Sequence, residues 1–286
     1  MRPDLHRGEL PRSHDATSGG TVVPYLRGRA LSKSYGHVRA LQNVDVDIFE
    51  HEVLAIVGDN GAGKSTLTKI LSGVVQADRG DIYLGEQKVR IANAQTAHKL
   101  GIATVFQSLA LVNCRDVACN LFLGREPILW GIFVNRRKML TDARAALAEL
   151  DINIPTLLAE AGELSGGQRQ CVAIARATSQ NSRIIIMDEP TAALGVKESG
   201  NVLNLILRLR ASGRGVVIIS HNMHHVFSVA DRIMVLRRGV LAGVRRKGET
   251  SPDEIVAMIV GSDAPLHEGK LAADHDVHLV IPASGE

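Results

Sequence analysis

Three short apolar runs rich in β-branched residues constrain the fold of this chain more than any other feature. They are Val53–Val57, Ile184–Met187 and Val216–Ile219. Helical stretches lie between them, such as 64–71 and 201–211, and this alternation is typical of strands buried on both faces of a parallel sheet. Residues 41–48 instead alternate apolar with polar side chains, as in a half-buried strand. We therefore predict an α/β domain around a largely parallel sheet.

The rest of the chain divides into an insertion and two polar ends. Residues from about 108 to 175 hold few strand-like runs but include an amphipathic helix from Thr141 to Leu150, which predicts an inserted α-helical subdomain. The segment 251–254 has the composition of a helix start, and Gly261 that of a helix end. Residues 1–24 and 262–286 are polar and aperiodic, so we expect flexible tails around a domain at 25–261.

Bulk composition narrows the possible functions. The chain has 286 residues, of which 33 are basic and 30 acidic, and this balance disfavours a nucleic-acid partner. Its three cysteines lack metal-ligand spacing, which favours a reducing compartment and disfavours zinc. No stretch approaches the ~20 continuous apolar residues that span a bilayer, and the first residues lack the apolar core of a secretory leader. We expect any link to a membrane to come through a partner.

The segment after the first apolar run carries the first chemical signal. It reads Gly58-Asp59-Asn60-Gly61-Ala62-Gly63-Lys64-Ser65-Thr66 and matches G-x-x-x-x-G-K-[ST] between a predicted strand and a predicted helix. The backbone N–H groups of such a loop form a nest for phosphate oxygens, and the helix adds its positive dipole end. Lys64 supplies a charge between the β- and γ-phosphates, and the Ser65 hydroxyl can bind Mg²⁺. The alternative, an incidental glycine turn, is disfavoured by the strand and helix on either side.

An acidic pair follows the second apolar run. The predicted strand delivers Asp188 to the edge of the sheet, where a carboxylate can hold the hydration shell of Mg²⁺. Glu189 would then lie near an attacking water as a general base or a water-positioning group. Alone, this pattern is explained equally well by a solvated acidic turn. Its position downstream of a phosphate-binding loop favours the catalytic interpretation.

A third peptide makes the chain resemble a known family. Leu164-Ser165-Gly166-Gly167-Gln168 precedes the acidic pair and begins a helical stretch, as the signature peptide of ABC ATPases does. The resemblance covers about Leu26 to Gly261. It implies a P-loop NTPase core of the ABC type, with an antiparallel β portion near the N-terminus and an inserted α-helical subdomain. It also implies ATP hydrolysis with Mg²⁺ as a cofactor.

The resemblance assigns roles to further residues. Tyr35 stands where an aromatic side chain stacks on adenine; the alternative is an ordinary half-buried tyrosine. Gln107 stands where a glutamine senses Mg²⁺ and water. His221 stands where a histidine bonds the γ-phosphate and orients Glu189. The signature peptide would approach the γ-phosphate bound by the opposite subunit, which implies a head-to-tail dimer of two copies.

Three segments narrow the resemblance to monosaccharide importers of the ribose, xylose and fructose group. They are the phosphate loop with its Thr66, Asn-Leu-Phe-Leu-Gly-Arg-Glu at 120–126, and Asp-Glu-Pro-Thr-Ala-Ala-Leu-Gly-Val-Lys-Glu-Ser at 188–199. The chain carries one ATPase copy, like the fructose and xylose branch. The resemblance therefore implies membrane permease subunits as partners, indirectly a periplasmic sugar-binding protein, and a place on the cytoplasmic face of the inner membrane.

Two departures from that family and three alternatives stay open. Gly195 stands where many ABC ATPases have an aspartate that reaches across the dimer, and Cys119 stands where the sugar importers usually have a glutamate. The alternatives are an ABC transporter of another cargo, a non-transport ABC ATPase acting on ribosomes or DNA, and a catalytically silent binding module. The single copy and the lack of sustained heptads disfavour the second. Joint retention of Lys64, Asp188, Glu189 and His221 disfavours the third.

Overall fold

The secondary structure alternates between strands and helices along the residues that the structure, a computed structural model, describes: 23–178 and 182–261. The strands are β1 (Leu26–Tyr35), β2 (Val38–Ile48), β3 (Val53–Val57), β4 (Arg79–Leu84), β5 (Gln87–Val89), β6 (Ile102–Val105), β7 (Ile128–Leu129), β8 (Phe133–Val134), β9 (Ile184–Asp188), β10 (Gly215–Ile219), β11 (Arg232–Arg237) and β12 (Val240–Arg246). The helices are α1 (Lys64–Leu71), α2 (Ala94–Lys99), α3 (Val117–Leu121), α4 (Arg136–Glu149), α5 (Gly166–Thr178), α6 (Val196–Ala211), α7 (Met223–Val229) and α8 (Pro252–Val260).

A six-stranded sheet forms the centre of the fold, in the order β12-β11-β3-β10-β9-β6. The strands from β11 to β6 pair in parallel, and only β12 is antiparallel to its neighbour. The three apolar runs of the sequence are β3, β9 and β10, which lie side by side. The prediction of a largely parallel sheet is therefore confirmed.

The central sheet is apolar on both faces because alternate residues of each strand point to opposite sides. In β3, Val53, Ala55 and Val57 join the cluster that packs against α5, α6 and α7. Leu54 and Ile56 join a second cluster on the other face, which includes residues of α1, β1 and β2. All five residues are buried. A continuous apolar run rather than an alternating one is what a strand covered on both faces requires.

A second, antiparallel sheet covers part of that other face, in the order β2-β1-β4-β5. In β2, Val44, Val46 and Ile48 are buried, and the residues between them are more exposed. The alternation at 41–48 therefore marks a strand with one face on the core, as predicted. The antiparallel portion that the resemblance implied near the N-terminus is confirmed.

The segment between β6 and β9 contains α3, α4 and α5, together with one element that the sequence did not predict. The strands β7 and β8 pair as a short antiparallel hairpin, Ile128 with Val134 and Leu129 with Phe133. Helix α4 begins at Arg136, five residues before the expected start at Thr141, because the Asn135 side chain accepts a hydrogen bond from the N–H of Lys138 and caps the helix. The division into a subdomain at about 108–175 stays a prediction.

The last described helix, α8, has the ends that the sequence predicted. The Ser251 hydroxyl accepts from the N–H of Glu254, Pro252 is the first helical residue, and Gly261 closes the helix with φ +87°. Both predicted tails, apart from residues 23 and 24, lie outside the described residues. Among the described helices, none combines the length and apolar character needed to cross a membrane.

Loss of a large side chain from the centre of the sheet should be costly. We predict that Ile186→Ala in β9, where the side chain is fully buried, lowers the free energy of unfolding by about 3 kcal/mol because it leaves a cavity that cannot collapse. Urea denaturation measures the change. Val244→Ala in β12, which is 39% exposed, is the control and should cost under about 1 kcal/mol. Equal losses for the two variants would contradict the assignment of the core.

Candidate functional site

Four segments that the sequence singled out meet at one edge of the central sheet. Gly58 follows β3, Gln107 lies two residues after β6, Asp188 ends β9, and His221 lies two residues after β10. In the sheet register, Ile219 pairs with both Ile56 and Asp188. Because the four strands are parallel neighbours, their carboxyl ends lie at the same edge. The structure thus brings these four segments together from distant parts of the chain.

The loop between β3 and α1 has a backbone that only glycine accommodates at two positions. Gly58 has φ +149°, and a Cβ there would lie 2.2 Å from the carbonyl oxygen of Leu236. Gly63 has φ +104°, and its Cβ would lie 2.6 Å from the carbonyl oxygen of Ala40. Gly63 is also the N-cap of α1 and has no side chain to occupy the first N–H groups of the helix. Those groups remain available for an anion.

The side chains of the loop differ in how open they are. Asp59, Asn60, Gly61 and Ser65 are exposed, Gly58, Lys64 and Thr66 are half-buried, and Ala62 and Gly63 are buried. The buried residues pack against β2 and Gly239, while the exposed ones line the open side. The loop is thus fixed from behind and open in front, as a cradle for a phosphate chain requires.

Lys64 is held over the loop by the carbonyl groups of its own backbone. Its Nζ atom donates to the oxygen of Gly58 at 2.6 Å and to that of Asp59 at 2.9 Å. Burial lowers the pKa of Lys64, and nearby carboxylates, Glu189 first among them, oppose that shift. The ammonium group is therefore partly desolvated but bonded only to neutral oxygens. An arriving phosphate offers it a stronger, charge-assisted bond.

Asp188 and Glu189 occupy different environments although they are adjacent. Burial raises the pKa of Asp188, the Glu189 carboxylate raises it further, and Lys64 acts in the opposite direction. Glu189 has φ +50°, which is uncommon for a residue other than glycine. Its N–H donates to the carbonyl oxygen of Ile219 at 2.9 Å, so β10 fixes this backbone. Such strain is concentrated at functional sites.

Glu189 and His221 form a contact at the open side of the edge. The Nδ1 atom of His221 lies 2.9 Å from Oε1 of Glu189. A proton on Nδ1 makes this a hydrogen bond to the carboxylate and leaves Nε2 as an acceptor. The Glu189 side chain is mostly buried and that of His221 is 76% exposed. A carboxylate oriented by an imidazole in this way can position a water and accept its proton.

The oxygen donors at this edge fit a magnesium ion held together with a nucleotide. Asp188 contributes a carboxylate, Ser65 a hydroxyl and Gln107 an amide oxygen; the serine and the glutamine are exposed. These hard ligands suit Mg²⁺, which is usually bound by one or two carboxylates together with substrate phosphates. The described residues contain no cluster of three or more His, Cys, Asp and Glu side chains for a metal ion.

The model of the family described as "ABC transporter" matches residues 41–192, more than half of the chain. The chain belongs to the ABC transporter family. Its signature peptide, 164–168, leads into α5 and caps that helix. The Ser165 hydroxyl accepts from the N–H of Gln168 at 3.3 Å, and Oε1 of Gln168 accepts from the N–H of Ser165 at 3.0 Å. This reciprocal capping fixes the start of α5 and leaves Gln168 bonded within its own chain.

Several curated relatives of this chain are named as import ATP-binding proteins. It is 46% identical to the fructose import ATP-binding protein FrcA of Rhizobium meliloti over 86% of this chain and 97% of that one. It is 45% identical to the xylose/arabinose import ATP-binding protein XylG of Sulfolobus acidocaldarius, over 82% and 93%. It spans half of the ribose import ATP-binding protein RbsA of Chromobacterium violaceum, again at 45% identity.

Solved structures agree with the fold. A nucleotide-free ATP-binding cassette of an ABC transporter superposes with a TM-score of 0.70 at 27% identity, over 84% of this chain and 96% of that one. A dimeric ATP-binding cassette in a post-hydrolysis state, bound to ADP and phosphate, has a TM-score of 0.67 at 27% identity, over 78% and 98%. The protein is therefore an ATPase of the ABC type, and ATP is its nucleotide.

Glu198 is a residue of this ABC ATPase that the sequence did not single out. It lies in the first turn of α6, and its carboxylate accepts from the N–H of Gly195 at 3.4 Å. It also packs so closely on the signature that a Cβ on Gly167 would lie 2.8 Å from its own Cβ. The Ser165 hydroxyl and then the N–H groups of Gly195 and Gly167 hold the pKa of Glu198 below its usual range. The only sequence signal was an acid at a helix start.

The signature borders a cleft that contains no residue of the phosphate loop. Ser165 and Gly167 line a cleft of about 530 Å³, together with Lys197, Glu198 and Asn201. In the described residues, no hydrogen bond or ion pair joins 164–168 to 58–66. The signature and the phosphate loop thus form separate features of one copy, and a role of the signature at a phosphate stays a prediction.

The structure defines the surroundings of Tyr35 and of two histidines in α7. Tyr35 ends β1 and is 46% exposed, with Nζ of Lys33 5.7 Å from the centre of its ring, so its role at adenine stays a prediction. His224 is exposed. His225 is only partly exposed, and its Nδ1 lies 2.9 Å from Oγ1 of Thr191. No local pattern could have predicted that pairing, because 34 residues separate the partners.

Two glycine variants distinguish the need for a positive φ in the loop from the need for space beside it. We predict that Gly61→Ala, which meets no atom within 4 Å, weakens ATP binding by about tenfold, the cost of a strained backbone. Gly63→Ala places its Cβ against the Ala40 carbonyl and should weaken binding by at least about 100-fold. Titration with a fluorescent ATP analogue measures both, with circular dichroism as a control for folding. Equal effects would show that the contact with β2 is unimportant.

Proposed function

We propose that this ABC ATPase uses the site at the sheet edge to hydrolyse MgATP and drive import of a monosaccharide. The observation that carries the proposal is the convergence of Lys64, Asp188, Glu189 and His221 at the ends of neighbouring strands. The fructose and xylose/arabinose import proteins named above support the cargo, since each aligns with this chain over nearly its whole length. We infer a fructose-like or xylose-like cargo.

Each part of the site takes one task in hydrolysis. The loop 58–66 would hold the ATP phosphates, with Lys64 between the β- and γ-phosphates, and Tyr35 would stack on adenine. Ser65, Gln107 and Asp188 would hold Mg²⁺, which neutralises charge on the phosphates when bound. Glu189 would orient a water and accept its proton. His221 would hold that carboxylate in place and contact the γ-phosphate.

The signature supplies the missing half of the site from a second copy. Ser165 is exposed and lies at the start of a capped helix, so its hydroxyl and the neighbouring N–H groups suit an anion. Because the two phosphate sites of one chain are not joined, two copies arranged head to tail would complete each other. The structural neighbour that binds ADP and phosphate is itself a dimeric cassette. We therefore propose a homodimer that closes around two ATP molecules.

Membrane partners would respond to closure of the dimer. ATP binding favours the closed state, and loss of the γ-phosphate removes the bridge between copies, so hydrolysis shifts a two-state equilibrium. We propose that permease subunits change conformation with the opening and closing of the dimer, and that a periplasmic sugar-binding protein delivers the cargo. The ATPase would lie at the cytoplasmic face of the inner membrane. Gly195 begins α6 without a side chain, so any link between the two copies there depends on its backbone.

Trapping ATP tests the dimer directly. We predict that Glu189→Gln slows ATP hydrolysis by about 100-fold or more, because the amide cannot accept a proton. The variant with ATP should sediment as a dimer in analytical ultracentrifugation and return to monomer when ATP is removed. Glu189→Gln combined with Lys64→Ala is the control, since it should bind ATP poorly and stay monomeric. A monomer in both samples would exclude the shared site.

Stimulation by cargo tests the transport proposal. We predict that the ATPase, reconstituted in vesicles with its permease subunits, hydrolyses ATP several-fold faster when its binding protein carries fructose or xylose. The binding protein without sugar is the control. Stimulation by a non-sugar cargo alone would support the other-cargo alternative. Hydrolysis that never responds to permease or binding protein would favour a non-transport ABC ATPase.

A further inference from the structure

The hairpin between α3 and α4 exposes an apolar surface that the ATPase site does not use. We call residues 128–134 the apolar tip. Trp130 is 85% exposed and Ile132 is 80% exposed. Its large apolar side chains are Ile128, Leu129, Trp130, Ile132, Phe133 and Val134, and all of them are exposed. A contiguous group of this kind marks a contact surface, whereas single exposed apolar residues do not.

The backbone of the hairpin, not its side chains, maintains the shape of the apolar tip. Beside the β7–β8 pairing, the N–H of Ile132 donates to the oxygen of Leu129 at 3.3 Å. The N–H of Asn135 donates to the oxygen of Pro127 at 2.7 Å. None of the six apolar side chains belongs to either core cluster of the described residues. Their exposure is therefore not the result of a core that they fill.

Both faces of the hairpin are apolar. Successive side chains of a strand point to opposite sides, so Ile128 and Leu129 lie on different faces, and so do Phe133 and Val134. A groove on a protein partner covers one face of a strand pair and leaves the other in water. A medium that surrounds the hairpin covers both faces at once. This geometry favours a lipid environment over a protein groove.

The charges near the apolar tip fit the surface of a bilayer. Residues 127–135 contain no charged side chain, and Arg136, Arg137 and Lys138 follow directly. Arg136 pairs with Asp116 at 2.6 Å and Lys138 with Asp142 at 2.9 Å, whereas no ion pair is formed by Arg137 within the described residues. On the other side of the tip, Glu126 accepts from the N–H of Gly124. An apolar end with tryptophan, followed by basic residues, is typical of segments at a membrane interface.

We propose that the apolar tip inserts into the boundary between headgroups and acyl chains of a bilayer that contains anionic lipid. Trp130 and Ile132 enter first, and the basic residues at the start of α4 stay at the headgroups. Such insertion is shallow and reversible, because a few side chains bury little area compared with a spanning helix. It gives the ATPase a direct contact with lipid in addition to any contact with permease subunits.

The composition of the chain makes this contact measurable, because Trp130 is the only tryptophan. The full-length chain without ATP is titrated with vesicles of phosphatidylcholine alone or mixed equally with phosphatidylglycerol. We expect the emission of Trp130 to shift to shorter wavelength on the mixed vesicles, and less so at high salt because the screening length falls. Acyl chains brominated near the headgroup should quench it. The readout needs no hydrolysis, so it is independent of the proposed function.

Two variants show whether the apolar tip is responsible. Ile132→Asp with Phe133→Ser keeps Trp130 as a reporter and should abolish both the shift and the quenching. Val260→Asp changes another exposed apolar residue, 70% exposed on α8, and should leave both unchanged. Melting curves of the variants confirm that each is folded. Arg137→Glu should reduce the preference for the anionic vesicles.

Three outcomes would overturn the proposal. One is an emission spectrum that no vesicle composition changes. Another is a change that occurs only when detergent-solubilised permease is added without lipid, since the apolar tip would then be a protein-docking surface. The third is an equal shift on both kinds of vesicle, which would remove the part assigned to anionic lipid.

Discussion

The parallel register of four neighbouring strands is the constraint on which the rest of this structure depends. A phosphate group is only a few ångströms across, yet the groups that we propose to surround it lie as far as about 160 residues apart in the sequence. Because β3, β10, β9 and β6 run in the same direction, their carboxyl ends lie at one edge. The register sets Ile56, Ile219 and Asp188 side by side. The pairing of the strands thus sets the positions of the proposed catalytic groups, independently of their side chains.

Within that edge, close backbone approach and partial burial set the chemistry. Gly58 and Gly63 allow carbonyl groups of other segments to contact the loop from behind, so the N–H groups can face outward. Lys64 and Asp188 are partly buried and opposite in charge, and each shifts the pKa of the other towards its charged form. Burial and the proximity of Glu189 act on Asp188 in the opposite direction and raise its pKa. A cation bound to Asp188 would remove that conflict.

The signature and the apolar tip, the two surfaces for which we propose partners, differ in the kind of partner that they need. The signature has a capped helix start and a close acidic neighbour, Glu198, whose carboxylate accepts from the same groups that would meet a phosphate. On our proposal, a γ-phosphate from the second copy must compete with that carboxylate. The apolar tip instead has no polar partner to lose. It gains only by leaving water, which is why its inferred partner is lipid rather than an ion.

The sequence alone determined the elements whose signals are local. The limits of β3 and α1 and the caps of α8 could be predicted because strand burial, glycine loops and helix caps are encoded within a few neighbouring residues. The hairpin β7–β8 could not, since two-residue strands are too short to show a period. Only the tertiary structure decided that Glu198 packs on the signature and that His225 contacts Thr191. Those contacts depend on how separate helices and strands pack together. The residues next to Glu198 or His225 in the sequence carry no information about that packing.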